Sequence, residues 1–372
     1  MQKDFSKINV LVVDDMATAR EYISKQLRDI GVINISTASS IVDAFKKIND
    51  RIHLIICDYY LGDGRNGKDF IEELRKEEKI SDSVVCIMVT AEARFESVIG
   101  SAENGIEGYF LKPWNPEIFR DKIEKIIEKR EVLIPIYNAI EKNEYRKALQ
   151  ICDLYLADTK KFWYVELALR KLRAEVLIRM GMFQSAIANY DLVLKQEIIP
   201  WALHGKAKCL IKLSQYKEAE MILLELIKNF PHYMACYDDL IALYEIQQDY
   251  PKQETILTEA IKISWEKYHR HKKLAEVAIK NENPEVAQNM LGILHTKWRH
   301  SPHVDSSSIY TYLRVLRLGW KEKEANDLLS SLKTSFRTDS NRIQSLRAID
   351  DVFLWKTEKP IPIDLLPPED QS

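Results

Sequence analysis

The sequence predicts two kinds of structure in succession: a doubly wound α/β domain with five parallel strands, and after it an all-α solenoid. Two observations carry this prediction. In the first part of the chain, short apolar runs alternate with segments of helical period, which indicates a parallel sheet covered by helices. After about residue 130 no strand pattern follows, and helices broken by short turns recur with a constant period.

The apolar runs predict the strands of the sheet. They occupy residues 8–13, 53–57, 84–89 and 108–111. The segments with helical period lie between them, at residues 17–30, 41–49, 70–77 and 92–104. The last helix of this part is expected to begin near Pro116, because proline is favoured in the first turn of a helix.

Polar side chains stand where these strands end. Asp14 and Asp15 follow the first strand, Asp58 and Thr90 end two later ones, and Lys112 follows the last. Because ligands of doubly wound sheets bind just beyond the carboxyl ends of the strands, these side chains should share one pocket. Three adjacent carboxylates favour a hard cation such as Mg²⁺. An aspartate can attack phosphorus, and a lysine can balance the charge of the phosphoryl group, so the pattern predicts a phosphorylatable aspartate.

With these motifs in order, residues 5–130 resemble the receiver domain of two-component response regulators. The resemblance implies a flavodoxin-like sheet with strand order 2-1-3-4-5. It also implies that Asp58 is the phosphoacceptor for a sensor histidine kinase or a phosphotransfer protein. Thr90 and Lys112 would contact the phosphoryl group.

The resemblance further implies a metal site and a switch. Mg²⁺ would be held by the side chains of Asp14, Asp15 and Asp58 and by the backbone carbonyl of Tyr60. Tyr109 matches the aromatic residue that turns inward when the threonine moves. The loop after the phosphoacceptor departs from the family pattern because it carries additional glycines.

The second part of the chain contains an internal repeat. Six equivalent positions each follow a turn, at spacings of 38, 33, 34, 34 and 38 residues: Ala148, Ala186, Ala219, Gln253, Ala287 and Ala325. A second small residue precedes three of them by twelve positions: Ala174, Ala207 and Ala275. A helix–turn–helix period of ~34 residues is typical of tetratricopeptide repeats (TPR). Residues 131–335 therefore resemble that family, with small insertions expected at residues 159–162 and 300–307 and the weakest match at Gln253.

Stacked helical pairs form a concave surface that commonly binds other proteins. The candidate groove residues lie on the first helices of the repeats: Arg170, Arg173, Lys206, Asp238, Tyr244 and Lys272. Residues 336–355 are expected to form a capping helix, and residues 356–372 a proline-rich tail. The alternative is a purely structural solenoid that spaces or dimerises the first domain.

The two parts are joined without a flexible linker. No segment rich in Gly, Ser or Pro follows residue 130, and residues 129–134 continue the helical pattern into Pro135. Proline inside a helix removes a hydrogen bond, so we expect a kink or a restart there. A nearly continuous helix at the joint would transmit motion of the first domain to the repeats.

Composition limits the possible functions. The 372 residues include 54 basic and 56 acidic ones, a net charge of −2, so nucleic acid is not an expected partner. No apolar stretch reaches the ~18 residues of a membrane span, and the first residues do not read as a signal peptide, so a cytoplasmic protein is expected. The five cysteines form no CxxC pair and are expected to be buried free thiols. Because no nucleotide-binding or hydrolase motif occurs, an enzymatic output is not expected.

These features leave two functional hypotheses. In the first, the chain is a response regulator whose phosphorylation on Asp58 changes how the TPR-like part binds a protein partner or a second copy of itself. In the second, it is a phosphate sink or phosphotransfer modulator that docks a sensor kinase through the repeats.

Overall fold

The computed structural model describes residues 5–61, 66–91, 106–265 and 267–297. The chain divides into two compact units, residues 1–222 and 223–372. The boundaries predicted at residues 130, 335 and 355 separate the receiver, the repeats, the capping helix and the tail. The division into two compact units does not test them, so they stay predictions.

The first unit contains a five-stranded parallel sheet. Its strands are β1 Asn9–Val13, β2 Asn34–Ala38, β3 Leu54–Asp58, β4 Val85–Thr90 and β5 Gly108–Leu111. The strand order is β2-β1-β3-β4-β5, which confirms the expected topology. The predicted apolar runs match four of these strands to within one residue at either end.

Helices cover this sheet. They are α1 Ala17–Asp29, α2 Ile41–Lys47, α3 Gly67–Lys76 and the longer α4 Pro116–Glu141. Three of them begin at a side-chain cap, in which Ser40, Asn66 or Asn115 accepts a hydrogen bond from a backbone N–H of the first turn. The helix predicted at residues 92–104 lies outside the described residues.

Both faces of the sheet are buried because helices pack on each of them, and alternate residues of a strand point to opposite faces. Leu11, Val13 and Cys57 pack into the core on one face with Phe70 of α3. Val10, Val12 and Ile56 pack on the other face with Phe119 of α4. All five cysteines of the chain are buried free thiols, as the sequence predicts.

Beyond the sheet the described chain is helical. The bounds are α5 Tyr145–Ala157, α6 Thr159–Phe162, α7 Glu166–Arg179, α8 Phe183–Leu194, α9 Pro200–Lys212, α10 Tyr216–Asn229, α11 Met234–Gln247, α12 Tyr250–Ile263, α13 Tyr268–Lys280 and α14 Pro284–Lys297. The short helix α6 occupies the predicted insertion at residues 159–162.

The repeat positions are consistently buried. Their exposed fractions are 0 or 1% at Ala148, Ala174, Ala186, Ala207, Ala219, Gln253, Ala275 and Ala287. At the weakest match, the amide of Gln253 donates a hydrogen bond to the carbonyl of Ile241 over 3.1 Å. This bond offsets the cost of burying a polar group where the other repeats carry alanine.

Four predictions fall outside the described residues: the repeat at Ala325, the insertion at residues 300–307, the capping helix at 336–355 and the tail at 356–372. Among the helices that are described, none is both long and apolar enough to cross a membrane.

Helix α4 corrects one expectation. It runs without interruption through Pro135, so the helix does not restart there. Its first half packs Phe119, Ile123 and Ile127 into the core of the sheet. Its second half packs Leu133 and Ile136 into a separate core with α5 and α7. One helix therefore belongs to two hydrophobic cores within the first unit.

The start of α3 yields a test of the fold near the end of β3. A Cβ atom added at Gly67 would lie 2.2 Å from the backbone oxygen of Asp58 and 2.8 Å from Cys57 Sγ. We therefore expect Gly67→Ala to lower the free energy of unfolding by about 1–3 kcal/mol, because the neighbouring backbone must move. Urea denaturation measures this change.

Gly108→Ala is the matched control. A Cβ atom there meets its nearest neighbours at 3.7–4.0 Å, which is ordinary van der Waals contact. Its unfolding free energy should change much less than that of Gly67→Ala. Equal losses in the two variants would show that close packing at Gly67 is not the cause.

Candidate functional site

Three carboxylates converge at one edge of the sheet. Asp14 and Asp15 lie in the turn between β1 and α1, and Asp58 is the last residue of β3. One carboxylate oxygen from each residue can be chosen so that all three lie within 4.8 Å of one another. Asp14 is fully buried, Asp58 is partly buried and Asp15 is exposed. The cluster is therefore open to solvent on the side of Asp15.

Lys112 reaches into this cluster from the end of β5. Its backbone N–H donates to the carbonyl of Thr90 over 2.7 Å, which continues the pairing of β4 and β5. Its Nζ atom lies 2.9 Å from Asp14 Oδ2 and 3.2 Å from Asp58 Oδ1. The peptide bond between Lys112 and Pro113 is cis. Thr90, 3% exposed, ends the strand beside Lys112.

Backbone contacts fix the carboxylates. Asp14 Oδ1 accepts a hydrogen bond from the N–H of Met16 over 2.9 Å. Asp58 Oδ1 accepts one from the N–H of Tyr59 over 3.0 Å. Arg20 Nη1 donates to the backbone carbonyls of Asp14 and Asp15 over 2.7 and 3.0 Å.

The role of Arg20 was missed in the sequence. The available signal is its place in the first turns of α1, from which a long side chain can reach back to the turn before the helix. The arginine stabilises the carbonyls of the turn that presents two of the three carboxylates.

Burial and the neighbouring charges shape the electrostatics of the pocket. Burial raises the pKa of Asp58 above its ordinary value, Lys112 acts against this, and Asp14 adds to it. For Lys112, burial acts to lower the pKa, but the hydrogen bond to Asp14 and the charges of both aspartates raise it. The lysine therefore stays protonated, and its positive charge reduces the repulsion between the carboxylates.

Of the two tyrosines assigned by the resemblance, Tyr60 follows the end of β3 and Tyr109 lies in β5. Tyr60 forms an isolated antiparallel bridge with Asn66 and keeps half of its surface exposed. Its neighbour Tyr59 donates its N–H to the carbonyl of Val89 over 2.8 Å. Tyr109 is half-buried against the core on one face of the sheet, and its carbonyl accepts a hydrogen bond from Lys122 over 2.6 Å.

The donor set fits a hard divalent cation. Mg²⁺ prefers oxygen ligands and commonly takes one or two carboxylates together with waters and phosphate oxygens. Asp14, Asp15 and Asp58 offer carboxylate oxygens within a few ångströms, and the pocket is open at Asp15. Acidic pockets of this kind typically bind Mg²⁺ in receiver domains.

Comparison with known proteins identifies the family of the first part. The family model of the response regulator receiver domain matches residues 10–124. The chemotaxis protein CheY of Pseudomonas aeruginosa is 32% identical over 123 residues, which are 33% of this chain and 98% of that protein. The chemotaxis protein CheY-3 of Vibrio cholerae is 30% identical over 123 residues, 33% of this chain and 93% of the relative.

One solved structure among those similar to this chain is a CheY-like response regulator receiver domain protein from Methanospirillum hungatei. It is 27% identical, covers 34% of this chain and 98% of its own, and has a TM-score of 0.30. The match to the family model ends at residue 124, so the repeats lie beyond it. Because the match to CheY of Pseudomonas aeruginosa covers 98% of that protein, this chain belongs to the response regulator receiver family, with a CheY-like receiver domain at residues 10–124.

Proposed function

We propose that this protein accepts a phosphoryl group on Asp58 from a sensor histidine kinase and thereby changes the protein interactions of its helical repeats. The observation that carries the first half of the proposal is the position of Lys112 Nζ, 2.9 Å from Asp14 and 3.2 Å from Asp58. A nucleophilic carboxylate, two further acids and one fixed cation are the groups that phosphoryl transfer to aspartate needs. A receiver domain implies a histidine kinase or a phosphotransfer protein as the donor.

In this proposal each residue has a separate task. A carboxylate oxygen of Asp58 attacks phosphorus, the bond from phosphorus to the donor breaks, and the donor keeps the bonding electrons. Asp14, Asp15, Asp58 and the carbonyl of Tyr60 would hold Mg²⁺. When bound, this ion would neutralise charge on the phosphoryl oxygens.

The remaining pocket residues respond to the phosphoryl group. Lys112 would exchange its contact with Asp58 for one with a phosphoryl oxygen, because the new dianion is the stronger partner. The hydroxyl of Thr90 would donate to another of these oxygens. Tyr109 would turn inward when Thr90 moves toward the phosphoryl group, as the family resemblance implies.

The second half of the proposal assigns the repeats a TPR-like binding role. Small buried residues at the repeat positions and consecutive helices that pack on one another support it. Several candidate groove charges already pair with another helix: Arg173 with Asp153, Lys206 with Asp191 and Asp238 with Arg270. Because these pairs neutralise one another, the surface favours a partner that binds by shape and hydrogen bonds rather than by strong charge.

Two of the other candidate groove residues have other surroundings. Arg170 pairs with Glu166 of its own helix over 2.8 Å. Tyr244 is only 2% exposed, so it contributes to the core of the second unit and offers little surface to a partner. Its aromatic character predicts burial as well as binding, and burial is what the structure shows.

Phosphorylation would reach the first repeats through α4. This helix crosses the predicted domain boundary at residue 130 and has one half in each of two cores. Arg130 Nε also donates to the carbonyl of Ser83, over 2.9 Å, just before β4. The hydroxyl of Ser81 donates to Glu141 at the end of the same helix. These contacts favour rigid transmission over a loose tether.

The phosphoacceptor is tested by Asp58→Ala. We expect this variant to lose all labelling by acetyl phosphate, because the attacking carboxylate is gone, and we expect labelling of the unchanged protein to require Mg²⁺. Intact mass spectrometry counts the phosphoryl groups. The control Asp121→Ala removes an exposed acid of α4 and should label normally. Labelling that persists without Asp58 would move the acceptor to another residue.

Lys112 is tested separately from the metal. Lys112→Ala should keep or strengthen the binding of Mg²⁺, because it removes a cation that lies 2.9 Å from Asp14. Beryllofluoride, a phosphoryl mimic, should no longer change oligomeric state or partner binding in this variant. Calorimetry measures the first effect and size-exclusion chromatography with pulldown the second. A response equal to that of the unchanged protein would exclude Lys112 from the switch.

Coupling through α4 is tested by insertion after Arg130. Four residues of Gly and Ser should abolish the effect of beryllofluoride on the proteins recovered in a pulldown, because the helix is interrupted. Four alanines are the control, since they add about 1.1 turns of helix and nearly keep its register. If both insertions preserve the response, rigid coupling is wrong.

The same pulldown separates the two functional hypotheses. Recovery of a kinase as the main partner, with or without beryllofluoride, would favour the phosphate-sink hypothesis.

A further inference from the structure

The first unit contains a second concave site, which lies at the amino ends of the strands, whereas Asp58 lies at their carboxyl ends. It is a cleft of about 830 Å³ where the receiver meets α7, and we call it the junction cleft. Its receiver walls include Val85 at the start of β4 and Glu107 just before β5. Asp58 ends β3, so in a parallel sheet the cleft and the phosphoacceptor pocket lie at opposite edges.

The walls of the junction cleft are largely apolar. The apolar and aromatic lining residues are Val85, Ile106, Ile126, Leu133, Tyr137, Leu167, Ala168, Leu172 and Trp201. The volume falls in the range of ~300–1,000 Å³ that holds drug-sized ligands and cofactors. Trp201 presents its ring beside a cation, with Lys171 Nζ 6.0 Å from the ring centroid. A flat apolar group could therefore pack in the cleft next to a positive charge.

Glu107 lies in the cleft together with several cations. Glu107 Oε2 accepts a hydrogen bond from the N–H of Cys86 over 2.7 Å, and Glu107 Oε1 lies 3.9 Å from Arg75 Nη2. Lys129 of α4 and Lys171 of α7 also line the cleft, and both feel the charge of Glu107. Arg75 is already occupied by the carbonyls of Ser81 and Val84, each at 2.5 Å.

Two other lining carboxylates are engaged by an arginine. Arg179 Nη2 lies 2.7 Å from Glu175 and 3.8 Å from Asp82. The charged side chains that line the cleft are five cations (Arg75, Lys76, Lys129, Arg130 and Lys171) and four carboxylates (Glu72, Asp82, Glu107 and Glu175), so positive charge is in excess. The mutual repulsion of the cations is a cost that an added negative charge would reduce.

The pKa shifts of Lys129, Lys171 and Glu107 reflect burial and the charges that line the cleft. Burial lowers the pKa of Lys129 and of Lys171, and Glu107 acts against this at both. Lys129 and Arg75 lower the pKa of Lys171 further because they carry the same charge. Burial also raises the pKa of Glu107 to about 7, although 36% of that side chain stays accessible. By surface accessibility Glu107, Lys129 and Lys171 are exposed side chains, so a ligand can reach all three from solvent.

We propose that the junction cleft binds a small organic anion that has a flat apolar body and one acidic group. The apolar body would lie against Trp201 and Leu167, and the acidic group would lie between Lys129 and Lys171. The apolar walls disfavour a bare inorganic anion, which would lose its hydration there. The excess of positive charge disfavours a neutral or cationic ligand of the same shape.

The occupant would contact both parts of the first unit. Lys129 lies on α4, and Lys171 and Leu167 lie on α7, whereas Val85 and Glu107 belong to the receiver. Binding therefore stabilises the packing of the receiver against the first repeats and leaves the acid cluster at Asp58 untouched. The site goes beyond phosphorylation and does not require it.

The test uses two dyes of similar shape and different charge on the full-length protein. The anionic probe is 8-anilinonaphthalene-1-sulfonate, and the neutral one is N-phenyl-1-naphthylamine. Fluorescence titration should show one saturable site for the anionic dye. In Lys129→Met with Lys171→Met its affinity should fall at least tenfold, while the neutral dye binds as before. The control, Lys125→Met with Lys147→Met, removes exposed lysines of α4 and α5 and should change neither.

Two further variants exclude a merely structural effect. Glu107→Gln removes the competing carboxylate and should tighten the anionic dye at least threefold. Leu167→Trp fills the cleft from a side chain that is 45% exposed and should weaken both dyes without disturbing a core. Circular dichroism and thermal melting verify that each variant is folded. No saturable site, equal loss of both dyes on lysine removal, or weaker anion binding in Glu107→Gln would each overturn the proposal.

The pH dependence supplies an independent readout. Glu107 is faced by charged or titratable groups from every neighbouring element: Arg75, Asp82, Cys86, Lys129, Tyr137, Lys171 and Glu175. Because the pKa of Glu107 is raised to about 7, lowering the pH from 8 to 6 protonates it and should tighten binding of the anionic dye. Glu107→Gln should lose this step. The same step in both proteins would mean that another group controls binding.

Discussion

The contacts of the Lys112 ammonium group with Asp14 and Asp58 are the interaction on which the acid cluster depends. Asp14 is fully buried, and burying a carboxylate without a counter-charge is costly. The lysine removes that penalty while leaving Asp15 exposed at the mouth of the pocket. It can do so because β5 pairs with β4 in a register that sets the N–H of Lys112 on the carbonyl of Thr90. Sheet register thus decides the electrostatics of the site.

Much of this was predictable because each signal is local. A strand that ends in a carboxylate, a hydroxyl or a lysine indicates a site at that end of the sheet. The period of two along each strand indicates which face of the sheet each residue joins. The strand order follows from the family resemblance. The repeat positions were predictable for the same reason, since a helix that packs closely on its neighbour needs a small residue there, as Ala186 and Ala219 illustrate.

The features that escaped prediction depend on contacts between distant residues. Arg20 acts on backbone carbonyls, and its place in the first turns of α1 does not by itself specify that contact. Pro135 lies within a continuous helix because the surrounding packing outweighs the hydrogen bond that proline removes. Tyr244 has a side chain that suits a groove or a core equally, and only the fold decides. The junction cleft is assembled from segments that lie between residues 72 and 201, so no motif marks it.

Helix α4 relates the two sites of the first unit. Its first half packs on the sheet that carries Asp58, and Lys129 and Arg130 near its centre contribute to the junction cleft. A displacement of α4 would therefore change the shape of the junction cleft, and the proposed anion bound there would resist that displacement. Thermodynamic linkage then requires the effect to be reciprocal: an anion that favours one position of α4 must favour or oppose phosphorylation by the same free energy. The acid cluster and the cleft would in this way act on one element from opposite edges of the sheet.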